Sequence, residues 1–196
     1  MTRTTTDGAA AAAGTVAAIV AAAAAVGPQC GRTTVIAIDG PAGSGKTSLA
    51  AALAPVLAAR TIHMDDLYEG WSGLAAAGDR LTEEILAPIW LGRPGRYRRY
   101  DWHSEEFAES HEVPIADHLV VEGVGCVRAS SRRFLSVIVW VEADDDVRLA
   151  RGLARDGVAA EPHWRSWMSA ERDLFARVGT RDLADVQVDA WGRLRP

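Results

Sequence analysis

Eight consecutive residues, Gly40-Pro41-Ala42-Gly43-Ser44-Gly45-Lys46-Thr47, follow the pattern G-x4-G-K-[ST]. Glycines at this spacing let successive backbone N–H groups converge on phosphate oxygens, and a helix opening just after them adds a favourable partial charge. Lys46 is a compact cation that can reach between the β- and γ-phosphates, where a planar guanidinium substitutes poorly. It is also the only lysine among 21 basic residues, so its retention needs a reason of its own. The segment reads as a nucleotide site in which Gly40, Ala42, Gly43, Ser44, Gly45, Lys46, Thr47 and Ser48 hold ATP.

Carboxylates follow at positions where such a site can use them. Met64-Asp65-Asp66-Leu67-Tyr68 ends an apolar run, and acids at the carboxyl end of a parallel strand face the ligand crevice of an open α/β sheet. Asp65 can accept a proton from a substrate hydroxyl during phosphoryl transfer. A turn or helix N-cap is the ordinary alternative for both aspartates. Val120-Val121-Glu122-Gly123 ends another apolar run, which places Glu122 to serve Mg2+ together with Thr47. Asp144-Asp145-Asp146 reads as a helix start, and Arg148, Arg151 and Arg155 then fall on one helical stripe. Such a row can close over transferring phosphates and neutralise developing charge, with Arg151 the candidate catalytic member. An exposed face tied by an Asp144–Arg148 pair is the alternative.

The cluster Tyr100-Asp101-Trp102-His103 combines flat apolar rings with hydrogen-bonding groups. It suits the grip on a substrate ring or sugar, and it equally suits a core tryptophan beside a surface histidine. Trp164 and Trp167 flank Arg165 at helical spacing and read as packing residues.

The elements that must position these groups are legible in the hydropathy pattern. Apolar, β-branched runs at 34–39, 60–64, 118–122, 136–141 and 185–188 predict about five strands. Near-continuous runs such as Val137-Ile138-Val139-Trp140-Val141 suit parallel strands buried on both faces. The expected fold class is α/β, a three-layer P-loop NTPase sandwich with helices at 48–57 and 79–91. Residues 67–99, rich in glycine, read as a small substrate-side insertion, and residues 144–160 as a helical lid. Residues 34–196 form the expected kinase domain. Residues 1–33 read as an alanine-rich tail followed by a helix from Thr15 to Val26, stopped by Gly27-Pro28. The alanine runs are too weakly apolar for a signal peptide or membrane anchor.

Composition narrows the function further. At 196 residues the chain fits a single domain, and 48% hydrophobic with 24% charged residues is an ordinary globular balance. A net charge of −5 argues against nucleic-acid binding. Two distant cysteines exclude a disulfide scaffold and any CxxC motif, which fits a reducing cytoplasmic setting. There is no asparagine and no second lysine, so the Asn-Lys-x-Asp guanine motif of GTPases is absent. A small kinase acting on a small-molecule substrate remains, with its oligomeric state open.

The chain resembles the uridine kinase-like group of P-loop phosphotransferases from about Thr34 to Asp189. The resemblance rests on the phosphate loop, Asp65-x-x-Tyr68, Tyr100-Asp101, Glu122-Gly123, Arg148/Arg151/Arg155 and Ala184-Asp185-Val186. It implies that Asp65 is the general base, that Tyr100 and His103 contact the acceptor's base, that Glu122 serves magnesium, and that the lid arginines grip triphosphate; Tyr68 and Asp101 are read as further acceptor contacts. The loop itself is similar to that of cytidylate kinases. This keeps a nucleoside-monophosphate acceptor open, with Arg80, Arg93, Arg96, Arg98 and Arg99 as candidate phosphate ligands. A regulatory ATP-binding protein without phosphotransfer is the third reading.

Overall fold

The computed structural model describes residues 3–195, with side chains from residue 13 onward. Five parallel strands form the central sheet: β1 (Thr34–Asp39), β2 (Arg60–His63), β5 (His118–Glu122), β6 (Val137–Val141) and β7 (Val186–Val188). Their spatial order is β2-β5-β1-β6-β7. All residues of β1 and β6 are buried, as their unbroken apolar runs require. The chain passes from β1 to β2 and β5 on one side of β1, and then crosses from β5 to β6 and β7 on the other. The crevice this opens at the strands' carboxyl ends is where α/β sheets take ligands.

One face of the sheet is covered by α1 (Arg3–Val26) and α2 (Lys46–Val56), whose Val16, Ile19, Ala23, Leu49 and Leu53 pack on Ile36, Val120 and Val139. The alanine-rich helix begins at Arg3, so most of the segment expected to be a frayed tail is helical; Met1 and Thr2 lie outside the described residues. Alanine's high helix propensity accounts for the difference. Among the described residues no helix is long and apolar enough to cross a membrane.

The other face is covered by the insertion and the C-terminal helix pair. The insertion holds a helix in three parts: α3 (Leu74–Arg80), a π segment (Leu81–Leu86) and α4 (Ala87–Trp90). Pro88 lacks the N–H that would pair with the Glu84 carbonyl, which accounts for the widened segment before it. An antiparallel hairpin of β3 (Gly95–Asp101) and β4 (Glu106–Val113) completes the insertion, extending it beyond residue 99. The hairpin escapes a search for apolar alternation because most of its residues are charged or polar. Helices α5 (Asp145–Asp156) and α6 (Glu161–Val178) pack closely through Gly152, where a Cβ would lie 2.3 Å from the Trp164 ring.

Candidate active site

The phosphate loop joins β1 to α2 and its glycines are sterically required. Gly40 has φ 140°, and a Cβ there would meet the Val141 carbonyl oxygen at 2.1 Å. Gly43 has φ 78°, with the Arg148 carbonyl oxygen 2.8 Å from its would-be Cβ. Asp39, at the end of β1, anchors the loop's entry. Its buried carboxylate accepts N–H bonds from Gly40 (2.7 Å), Gly125 (2.8 Å) and Val127 (3.0 Å), while burial pushes its pKa up to about 6. Lys46 is buried, and its Nζ donates to the Pro41 carbonyl at 2.9 Å. Ser44 is wholly buried, and among the described residues its hydroxyl has no partner.

Two cavities open around this loop. One, of about 520 Å³, runs along Gly43–Leu49 toward Arg151, Asp189, Ala190 and Trp191. The other, of about 470 Å³, is walled by Asp65, Tyr68, Trp71, Trp102, Trp164 and Trp167. They share Gly43, Lys46, Thr47, Arg155 and Trp164 as lining residues. A molecule in each would therefore meet at Lys46. The residues at 189–192 were not anticipated as site residues, having no signal except their place after the last strand.

Asp65 and Glu122 face the second cavity from neighbouring strand ends. Solvent reaches Asp65 through the opening while protein encloses its other sides; this enclosure, then the charge of Glu122, raises its pKa. Lys46, Arg155 and His63 oppose that rise. Asp66 is engaged elsewhere, accepting a bond from the Tyr97 hydroxyl at 3.2 Å. Glu122 is buried and accepts from Thr47 Oγ1 at 3.1 Å. A second partner was missed from sequence: His63 Nδ1 lies 2.6 Å from the same carboxylate oxygen. That bond is the leading cause raising the His63 pKa. His63 stands opposite Glu122 in the parallel register, a relation visible only once the strands are paired. The hydroxyl and carboxylate of Thr47 and Glu122 are hard oxygen donors that fit magnesium. Among the described residues no cluster of three or more metal-ligating side chains occurs, which suits an ion that takes its other ligands from phosphates and water.

The arginine stripe divides into three roles. Arg148 is buried and does not face the nucleotide cavity, contrary to the triphosphate contact expected of it. Its guanidinium donates to the Ala42 carbonyl (3.0 Å), Glu171 (2.5 Å) and Asp145 (2.5 Å), so Asp145 rather than Asp144 is its helix partner. Glu171 also accepts from the Ala42 N–H at 2.8 Å, and burial raises its pKa. The Arg148–Glu171 pair thus clamps both backbone groups of Ala42. Glu171→Ala leaves the buried Arg148 only Asp145 as a charge partner and the Ala42 N–H no acceptor, so it should cost about 1–3 kcal/mol, read as a lower urea midpoint. An unchanged midpoint would refute the clamp. Arg151 donates to the carbonyls of Gly43 (3.0 Å) and Ala190 (3.0 Å), bridging the loop and the last strand's exit. Arg155 lines both cavities and pairs with Asp156 at 2.7 Å.

The expected acceptor contacts need correction. Tyr100 is buried on β3 beside Phe107 and Trp102 and does not line the cavity. Asp101 folds back to accept from Arg99 and from the backbone N–H groups of His103 and Ser104, which lower its pKa and close the hairpin turn. His103 sits exposed in that turn. The polar spacing that resembled a substrate grip is the chemistry of a turn. Tyr68 does line the cavity, but its hydroxyl is committed to the Val124 carbonyl at 2.8 Å, leaving ring surface. Trp102, Trp164 and Trp167 supply the aromatic wall instead, packed around Trp71 at centroid distances of 5.5, 6.2 and 6.0 Å. Trp102 is fixed by its Nε1 donating to the Asp65 carbonyl at 2.9 Å.

No family model matches the chain. A shikimate kinase from Corynebacterium efficiens is 28% identical over 159 residues, covering 74% of this chain and 83% of the relative. Among solved structures, a possible uridine kinase from Bacillus stearothermophilus matches with a TM-score of 0.59 at 21% identity, over 80% of this chain and 89% of that one. The chain has the α/β fold of the P-loop small-molecule kinases.

Proposed function

Starting from that fold, we propose that the protein transfers the γ-phosphate of ATP to a hydroxyl of a small, uncharged, ring-bearing molecule, nucleoside-like in size and shape. The observation that carries this reading is the meeting of two cavities at Lys46, with Asp65 in the wall of the second. ATP lies along the phosphate loop toward Arg151 and Trp191, and the acceptor lies among the tryptophans. Its hydroxyl oxygen attacks the γ-phosphorus, ADP leaves, and Asp65 takes the hydroxyl proton. Lys46 and Arg155 stand where charge on the transferring group is neutralised. Thr47 and Glu122 would hold magnesium, which supplies further neutralisation of the phosphates when bound.

The acceptor wall favours an uncharged ring. Four tryptophans and Tyr68 offer flat apolar surface, and Lys46 and Arg155 are the cations lining this cavity among the described residues. The arginines that would seat an acceptor phosphate are engaged away from it. Arg96 pairs with Glu112, Arg98 donates to hairpin carbonyls, and Arg99 pairs with Glu109. Arg80 lies over the Phe107 ring at 4.0 Å, and Arg93 lines a separate surface hollow. This disfavours a monophosphate acceptor.

Calorimetric titration with matched nucleosides and nucleoside 5′-monophosphates tests the assignment. Nucleoside affinity should fall in Trp102→Ala, with monophosphates binding no tighter. Tight binding of monophosphates alone, abolished by Arg96→Ala, would overturn it. A further expected result concerns the carboxylate on Thr47: Glu122→Gln should raise the magnesium concentration needed for half-maximal turnover and lower kcat. An unchanged magnesium titration would remove Glu122 from this role.

A further inference from the structure

On the far side of Trp71, between α3 and α6, lies a groove of about 460 Å³ that phosphotransfer leaves unused. Its walls include Trp71, Ser72, Leu74, Arg128, Ser166 and Arg177. Arg128 is half-buried and fixed in place. Its Nε donates to the Gly125 carbonyl at 3.1 Å and one Nη to the Leu74 carbonyl at 2.7 Å. Burial lowers its pKa; the charges of Asp39 and Asp79 oppose that effect, and the Arg177 charge adds a smaller lowering. Asp79 itself accepts a bond from Ser130. Among the described residues neither Arg128 nor Arg177 forms an ion pair, although arginines around them do.

Two guanidinium groups lining one groove without carboxylate partners among the described residues are complementary to a doubly charged anion. The Ser166 hydroxyl adds a donor, the Ser72 hydroxyl can turn to it from its long 3.5 Å bond to the Glu69 carbonyl, and Trp71 and Leu74 add apolar surface for an organic substituent. A carboxylate brings one negative charge to these two guanidinium groups, whereas a phosphate monoester dianion matches both. We propose that this groove is a binding site for a phosphate monoester dianion, held by Arg128 and Arg177 with Ser72 and Ser166 as hydroxyl donors. The groove stands back to back with the tryptophan-lined cavity through Trp71, which lines both. The assignment is independent of the phosphotransfer reading.

The probe is inorganic phosphate, titrated calorimetrically into the full chain above about pH 8, where it is largely a dianion. Saturating magnesium and a non-hydrolysable ATP analogue block the phosphate loop. The expected result is saturable one-to-one binding, weakened roughly tenfold to a hundredfold in Arg177→Gln and partly restored in Arg177→Lys. Arg177 is exposed, so its replacement leaves folding intact; Arg128→Gln provides the second arm where it folds. Binding should persist in Lys46→Ala, which separates this groove from the phosphate loop. The proposal is overturned by no binding to the wild-type chain, by binding that Arg177→Gln leaves unchanged, or by acetate displacing phosphate at equal concentration.

Discussion

Lys46→Ala should abolish measurable turnover and weaken ATP binding. The side chain is buried in the lining shared by both cavities, and its Nζ now rests on the Pro41 carbonyl, within the loop that would cradle the phosphates. Removing one preorganised electrostatic group aimed at developing charge costs about 10²–10³-fold in kcat. A ground-state contact to the β- and γ-phosphates is lost as well, so the ATP Kd should rise. Lys46→Arg should not rescue the activity, because a planar fork does not fit where a buried point charge stood. Steady-state kinetics with calorimetric ATP titration measures both effects, and wild-type turnover by Lys46→Ala would sink the kinase assignment.

The second large effect is expected at Asp65. Removing general-base assistance costs about 10²–10⁴-fold in rate, so Asp65→Asn should lose that much kcat with little change in ATP affinity. The raised pKa of Asp65 adds a pH signature. A base works only when deprotonated, so kcat/KM should fall as pH drops through the Asp65 pKa. That acidic limb should lie above the ordinary aspartate value of about 3.9. In Asp65→Asn the limb should vanish along with most of the rate. Asp66→Asn should leave kcat nearly intact, since Asp66 serves the Tyr97 hydroxyl. The opposite ranking of the two variants would mean that the wrong carboxylate has been assigned.

How much of this was legible in the chain depended on whether a group's role is set locally. β1, β5 and β6 follow from near-continuous apolar runs and β2 and β7 from shorter β-branched ones, and β1 and β5 begin and end at the expected residues. The phosphate loop, Asp65 and Glu122 lie at strand ends, so finding the strand finds the residue. The arginine stripe was legible as a stripe, but the burial of Arg148 depends on Glu171, 23 positions away on another helix. His63 is found only through its register with Glu122. The Tyr100–His103 segment misled because turns and ligand sites draw on the same polar and aromatic residues. The tryptophan wall gathers Trp71, Trp102, Trp164 and Trp167 from three distant segments, and helical spacing alone cannot distinguish a packing ring from one that also faces a cavity.

The central claim is that ATP in one cavity phosphorylates a hydroxyl of an uncharged ring compound in the other. Mass-spectrometric screening of a mixed panel of nucleosides, nucleoside monophosphates, sugars and hydroxy acids, incubated with ATP and magnesium, tests it most directly. The predicted result is a monophosphorylated product from an uncharged ring alcohol, formed with one ADP per product, missing from the Lys46→Ala reaction and formed at least about a hundredfold more slowly by Asp65→Asn. Phosphorylation confined to acceptors that already carry a phosphate or carboxylate, or ATP binding with no phosphorylated product at all, would contradict it.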